Sequence, residues 1–169
     1  MSVALLLTTS GFSQDIKTSL PVYNPVMQQQ ADSIKKILEA DGFTLLRENT
    51  LTMESQYDAP IYLALNEGNW YQLVFIGENT SRLYEVRMYD MDEKQVIFEQ
   101  RKWADIDGNV ISYSYIPKFS EWHLLRMVQV NKHKNNLAGH AMIFKKTAVP
   151  EVDNLLSNDT LSFLWSKKK

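Results

Sequence analysis

His123, His133 and His140 are the first residues to weigh for chemistry, because imidazole is the side chain that titrates near neutral pH and also ligates metals. Read as a hairpin, strands 121–130 and 138–147 around the loop 131–137 place His140 opposite Val128. His123 is then five residues further along, about 16 Å away at about 3.3 Å per residue. That spacing is too long for a shared metal or a base–nucleophile pair, and His133 falls at the loop tip. The sequence has no GxSxG, HExxH, P-loop or GxGxxG motif. Its acids lie in turns or, like Glu85 and Glu99, within strand patterns, so no two are marked as the convergent pair of a glycosidase. With no cysteine in the chain, thiol catalysis and Cys-ligated zinc are excluded. The expectation is a non-enzyme with no cofactor.

Two further constellations carry alternatives. Asp105 and Asp107, followed by Gly108, resemble part of a calcium loop. However, Trp103 occupies the preceding ligand slot and no Glu closes the loop at its twelfth position. Ordinary turn chemistry accounts for the same residues. Asp90 and Asp92 form a second pair, which strand 94–101 would hold at the opposite end of a simple meander. Among the aromatics, Trp70, Trp103, Trp122, Tyr57, Tyr62 and Tyr89 are either core filling or a stacking platform for sugar rings. Trp70 begins a strand and Trp103 ends one, which makes these two the candidate ligand contacts. Alternation groups Trp122 with Leu124, Val128 and Val130, a set expected to face inward.

The elements that must position these residues are mostly strands. Asn24-Pro25 is a helix start, since Asn caps free amides and Pro at the first helical position forfeits only an unpartnered N–H. Met27, Ala31, Ile34 and Leu38 then recur at helical spacing up to Ala40, and Gly42 supplies the stop. Beyond Phe43 the pattern becomes short runs of β-branched and aromatic residues. Strands are expected at 43–47, 50–54, 60–66, 69–77, 82–90, 94–101, 110–116, 121–130 and 138–147. Tyr71, Leu73 and Phe75 share one face, as do Tyr84, Val86 and Met88, and Ile111, Tyr113 and Tyr115. The fold class is mainly β: an antiparallel β-sandwich, jelly-roll or C2-like, with the amphipathic N-terminal helix covering an edge or end.

Composition limits the partners. Of 169 residues, 18 are Lys or Arg and 20 are Asp or Glu, so the net charge of −2 gives no broad basic surface for nucleic acid. Met1 to Gln14 carry no charge. The apolar run Val3 to Leu7 leads into small residues, with Gly11 and Ser13 at the positions a signal peptidase needs for a cut before Gln14. The alternative is an ordinary buried strand, because the usual basic start is missing. A spanning helix is excluded for this run, which is far shorter than the roughly 20 residues a bilayer requires. Residues 14–149 read as one domain, and 150–169 as a tail. That tail either packs Leu155, Leu156, Leu161, Phe163, Leu164 and Trp165 on the domain or docks Phe163 and Trp165 into a partner.

Trp70-Tyr71-Gln72-Leu73, Val86 to Asp90, Ser112 to Pro117 and Trp122 to Leu125 together resemble the strand and turn signatures of the pre-peptidase C-terminal type of secreted β-sandwich. The stretch Asn69–Lys145 carries this resemblance, under half the chain, with no catalytic residue to transfer. The end Gly11-Phe12-Ser13-Gln14 is similar to signals of small exported Bacteroidota proteins. Asp159-Thr160-Leu161 resembles the O-glycosylation pattern of such proteins, which makes Thr160 a candidate acceptor. The expected function is a non-catalytic extracytoplasmic module that binds a protein or cell-envelope component. The alternative is a carbohydrate-binding module, with a glycan as ligand, using Trp70 or Trp103.

Overall fold

A computed structural model describes residues 24–146, except 106 and 107. Helix α1 (Pro25–Ala40) comes first. The Asn24 side chain accepts a hydrogen bond from the Met27 N–H at 3.2 Å, and Gly42, at φ +85°, turns the chain out at the other end. Eight strands follow: β1 (Thr44–Glu54), β2 (Ala59–Leu65), β3 (Trp70–Gly77), β4 (Leu83–Tyr89), β5 (Gln95–Lys102), β6 (Val110–Tyr115), β7 (Glu121–Val130) and β8 (Asn136–Lys146).

The strands form two four-stranded sheets, β1-β8-β3-β6 and β2-β7-β4-β5, here called sheet A and sheet B. Every pairing is antiparallel: β1 with β8, β2 with β7, β3 with β6 and β4 with β5, tied together by β3–β8 and β4–β7. The chain is thus one long hairpin, folded at the β4–β5 turn and rolled into a sandwich, which is the jelly-roll arrangement. All eight strands contribute to the core between the sheets, including Met53, Ile61, Tyr71, Tyr84, Ile97, Ile111, Leu125 and Leu137. A second cluster joins Met27, Ala31, Ile34 and Leu38 of α1 to Val74, Ile76, Met142 and Phe144 on the outer face of sheet A.

Four expectations are corrected. The runs 43–47 and 50–54 are one continuous strand, β1, with a register shift between Leu45 and Arg47. The strands carrying His123 and His140 are not a hairpin: β7 lies in sheet B and β8 in sheet A. His140 is registered with Thr50 and Ile76 rather than with Val128. The sheets are no simple meander, since β4–β5 is the one pairing of consecutive strands among those described. Finally, α1 covers the outer face of sheet A, where Val74, Ile76, Met142 and Phe144 receive its apolar stripe.

The connections sort into two ends. Turns 55–58, 78–82 and 131–135, with the β5–β6 connection, lie at one end; 66–69, 90–94 and 116–120 lie at the other.

Candidate binding face

Among the described residues, no helix lies over the outer face of sheet B. Strand β7 alternates, burying His123, Leu125, Met127 and Gln129 and turning Trp122, Leu124, Arg126 and Val128 outward. The set expected to point inward therefore points outward. The strand period is two, so a misjudged face inverts every side chain at once. Both polar residues on the buried side of β7 have hydrogen-bond partners inside the sandwich. His123 Nε2 lies 3.1 Å from the Tyr115 hydroxyl. Gln129 donates to the Ala138 carbonyl at 2.9 Å and accepts from the Glu78 N–H at 2.8 Å and from the Ser81 hydroxyl.

Register maps the exposed face in rows. Ala64 stands beside Trp122, and the next row runs Tyr62, Leu124, Tyr89 across three strands. The row after it runs Pro60, Arg126, Arg87, Phe98. Tyr62 is 62% exposed, Trp122 55% and Phe98 51%, whereas neighbouring polar groups are engaged sideways. Arg126 lies 3.3 Å from Asp58 and 5.5 Å from the Tyr89 ring centre, while Arg87 pairs with Glu85. Gln100 donates to Glu85 at 3.2 Å. These lateral contacts engage the arginines, and the three rings are the more exposed side chains. Such a face suits apolar or stacking contact with a partner.

The helix side is closed by a polar clasp. Lys35 of α1 donates to both Glu48 oxygens at 2.9 and 3.2 Å and lies 3.0 Å from Asp32. His140 Nε2 is 2.8 Å from the same carboxylate, and its Nδ1 is 3.2 Å from the Thr50 hydroxyl. Burial alone would raise the Glu48 carboxyl, but hydrogen bonds from Lys35 and His140 outweigh it and hold the group below its ordinary value. Thr50, His140 and Glu48 form a hydroxyl–imidazole–carboxylate line. Its carboxylate is shared with Lys35 and it runs along the seam, so its evident work is to fasten helix to sheet.

A third polar group locks the end that holds the 78–82 turn. Glu78 accepts from the Ala138 N–H at 2.9 Å and from Lys134 at 2.6 Å. Burial opposes ionisation of Glu78, but those donors lower its carboxyl below the ordinary value. The Tyr84 hydroxyl is shared between the Glu78 and Ser81 carbonyls at 2.8 and 2.9 Å. Burial, helped by the Glu78 charge, pushes that hydroxyl up to about 12, so it remains a donor.

The residues singled out from sequence are dispersed. Trp70 is half-buried at the start of β3, edge-on to Phe43 at 5.2 Å with Lys146 over both rings. Trp103, 68% exposed, sits at the opposite end, where its backbone N–H donates to the Arg82 carbonyl at 3.0 Å. The two indoles therefore share no platform. Asp105 uses a carboxylate oxygen to accept the Lys102 N–H within its own turn. Asp107 lies outside the described residues, as do Thr160, Phe163, Trp165 and residues 1–13. Among the described residues no three His, Asp or Glu side chains gather as metal ligands, and no helix is long and apolar enough to cross a membrane.

No protein-family model matches the sequence, and no curated protein matches it. Among solved structures, the chain is similar to one from the Bacillus endospore appendages, a family of disulfide-linked pili. The identity is 9% and the TM-score 0.42, over 63% of this chain and 89% of that one. It is also similar to a chain of tomato aspermy virus at 10% identity and TM-score 0.36, over 76% of this chain and 100% of that one. The tobacco streak virus coat protein matches at 14% identity and TM-score 0.29, over 65% of this chain and 95% of that one. These likenesses concern the β-sandwich fold alone.

Proposed function

We propose that this protein is a non-catalytic extracytoplasmic module that binds a protein or cell-envelope component through the outer face of sheet B. The observation that carries the reading is the asymmetry of the sandwich. Helix α1 covers sheet A, while Tyr62, Trp122 and Phe98 stand exposed on sheet B among arginines already held by Asp58 and Glu85. Burying such rings against a partner removes apolar surface from water at about 25 cal/mol per Å2. Export is supported by the uncharged, apolar start of the sequence and its small residues before Gln14. The test is co-sedimentation of the full chain with the envelope fraction of its own cells. The wild-type chain pellets with the fraction, and the double variant Tyr62→Glu/Trp122→Glu, with unchanged Tm, stays in solution. Equal pelleting of both overturns the reading.

A second reading, a carbohydrate-binding module, is favoured by the exposed ring of Trp103, since a bare indole suits the CH face of a pyranose. Oligosaccharides that quench the fluorescence of wild type but not of Trp103→Ala would support it.

A further inference from the structure

We infer that the C-terminal segment of this same chain, through its apolar residues Leu155 to Trp165, docks on the outer face of sheet B and is the first occupant of the binding face. The inference rests on the reading of that face given above and names an occupant for it from within the same chain.

Two observations select this occupant. The first is chemical. Residues 155–165 hold Leu155, Leu156, Leu161, Phe163, Leu164 and Trp165, and the uncovered side of the sandwich offers the matching Tyr62, Trp122 and Phe98. The second is where the described chain stops. Lys146 ends β8 opposite Trp70, at the same end of the sandwich as the 116–120 turn from which β7 starts toward Trp122. Nine residue steps separate Lys146 from Leu155, a reach of about 30 Å at about 3.3 Å per residue. Passing from sheet A around the end of a sandwich whose sheets lie about 10 Å apart is well within that reach. The helix side competes poorly, because α1 already covers the apolar surface of sheet A.

The absence of cysteine allows a direct test in the full chain. Cysteines at Tyr62 and Leu161 (Y62C/L161C) are treated with a short bismaleimide at low protein concentration, and intramolecular crosslinks are quantified by mass spectrometry. The comparison is I37C/L161C, which places the first thiol on an exposed position of α1. The Y62C pair is expected to crosslink about tenfold more than the I37C pair, and to lose that excess when Phe163→Glu and Trp165→Glu are added. Equal yields from the two pairs, or crosslinks formed only between separate molecules, overturn the inference. Envelope co-sedimentation of Y62E/W122E separates the two claims. Normal crosslinking with pelleting unaffected by Y62E/W122E refutes the partner reading and leaves the docking standing; Y62E/W122E-sensitive pelleting without crosslinking does the reverse.

Discussion

Trp122 and His123 are consecutive residues of β7 that stand on opposite faces of sheet B. The indole is 55% exposed on the outer face, and the imidazole is 1% exposed between the sheets beside the Tyr115 hydroxyl. That inversion of the usual preference marks the face. A strand that buries a histidine and a glutamine while exposing a tryptophan departs from the usual burial preference at all three positions.

The clasp between helix and sheet predicts a pH dependence. The Glu48 carboxyl is held below its ordinary value of 4.5, so its contribution is present above that value and is lost as pH falls through the lowered one. Glu48→Gln is expected to lower Tm at neutral pH, with the gap to wild type closing as the pH drops below 4.5. A gap that stays constant in Tm measurements across that range would refute the role of the carboxylate.

Gly77 and Gly139 are partners across β3 and β8, and they predict unequal costs. A Cβ at Gly77 would meet the Tyr84 ring, which its hydroxyl contacts hold in place. At Gly139 the nearest atom is the Met53 sulfur, at the end of a flexible side chain. By the usual penalty for overpacking, Gly77→Ala should cost about 1–3 kcal/mol in urea unfolding and Gly139→Ala less. The reverse order would contradict this account of the end of sheet A.

Gln129 is buried between the sheets, where it joins β7 to the Ala138 carbonyl and the 78–82 turn. Gln129→Leu leaves the Glu78 N–H and the Ala138 carbonyl without these partners, so a loss of about 1–3 kcal/mol is expected in denaturant unfolding. Little or no loss would show that the 78–82 turn holds without it.

Much of the architecture could be read from residue order. The helix 25–40 followed from Asn24-Pro25, a regular apolar stripe and Gly42, all of them local signals. The inward faces of β3, β4 and β6 followed from clean alternation at Tyr71, Tyr84 and Ile111. The exposed face of sheet B did not, because both sides of β7 contain apolar residues and the deciding partners of His123 and Gln129 come from β6, β8 and the 78–82 turn. Sheet membership was hidden for the same reason: the β7–β8 turn looks like a hairpin loop but joins two sheets. The signal within reach was Tyr62. It alternates with the core residues Ile61 and Leu63 in a short strand and so had to face outward.

The most direct test of the central claim compares three full-length chains in envelope co-sedimentation: wild type, Y62E/W122E and W103A. Both sets of side chains are exposed, so the variants should melt within about 0.5 kcal/mol of wild type. If the outer face of sheet B is the binding surface, wild type and W103A pellet alike and Y62E/W122E remains in solution. Loss of pelleting in W103A with Y62E/W122E unaffected would contradict the account and move the site to the Trp103 end of the sandwich.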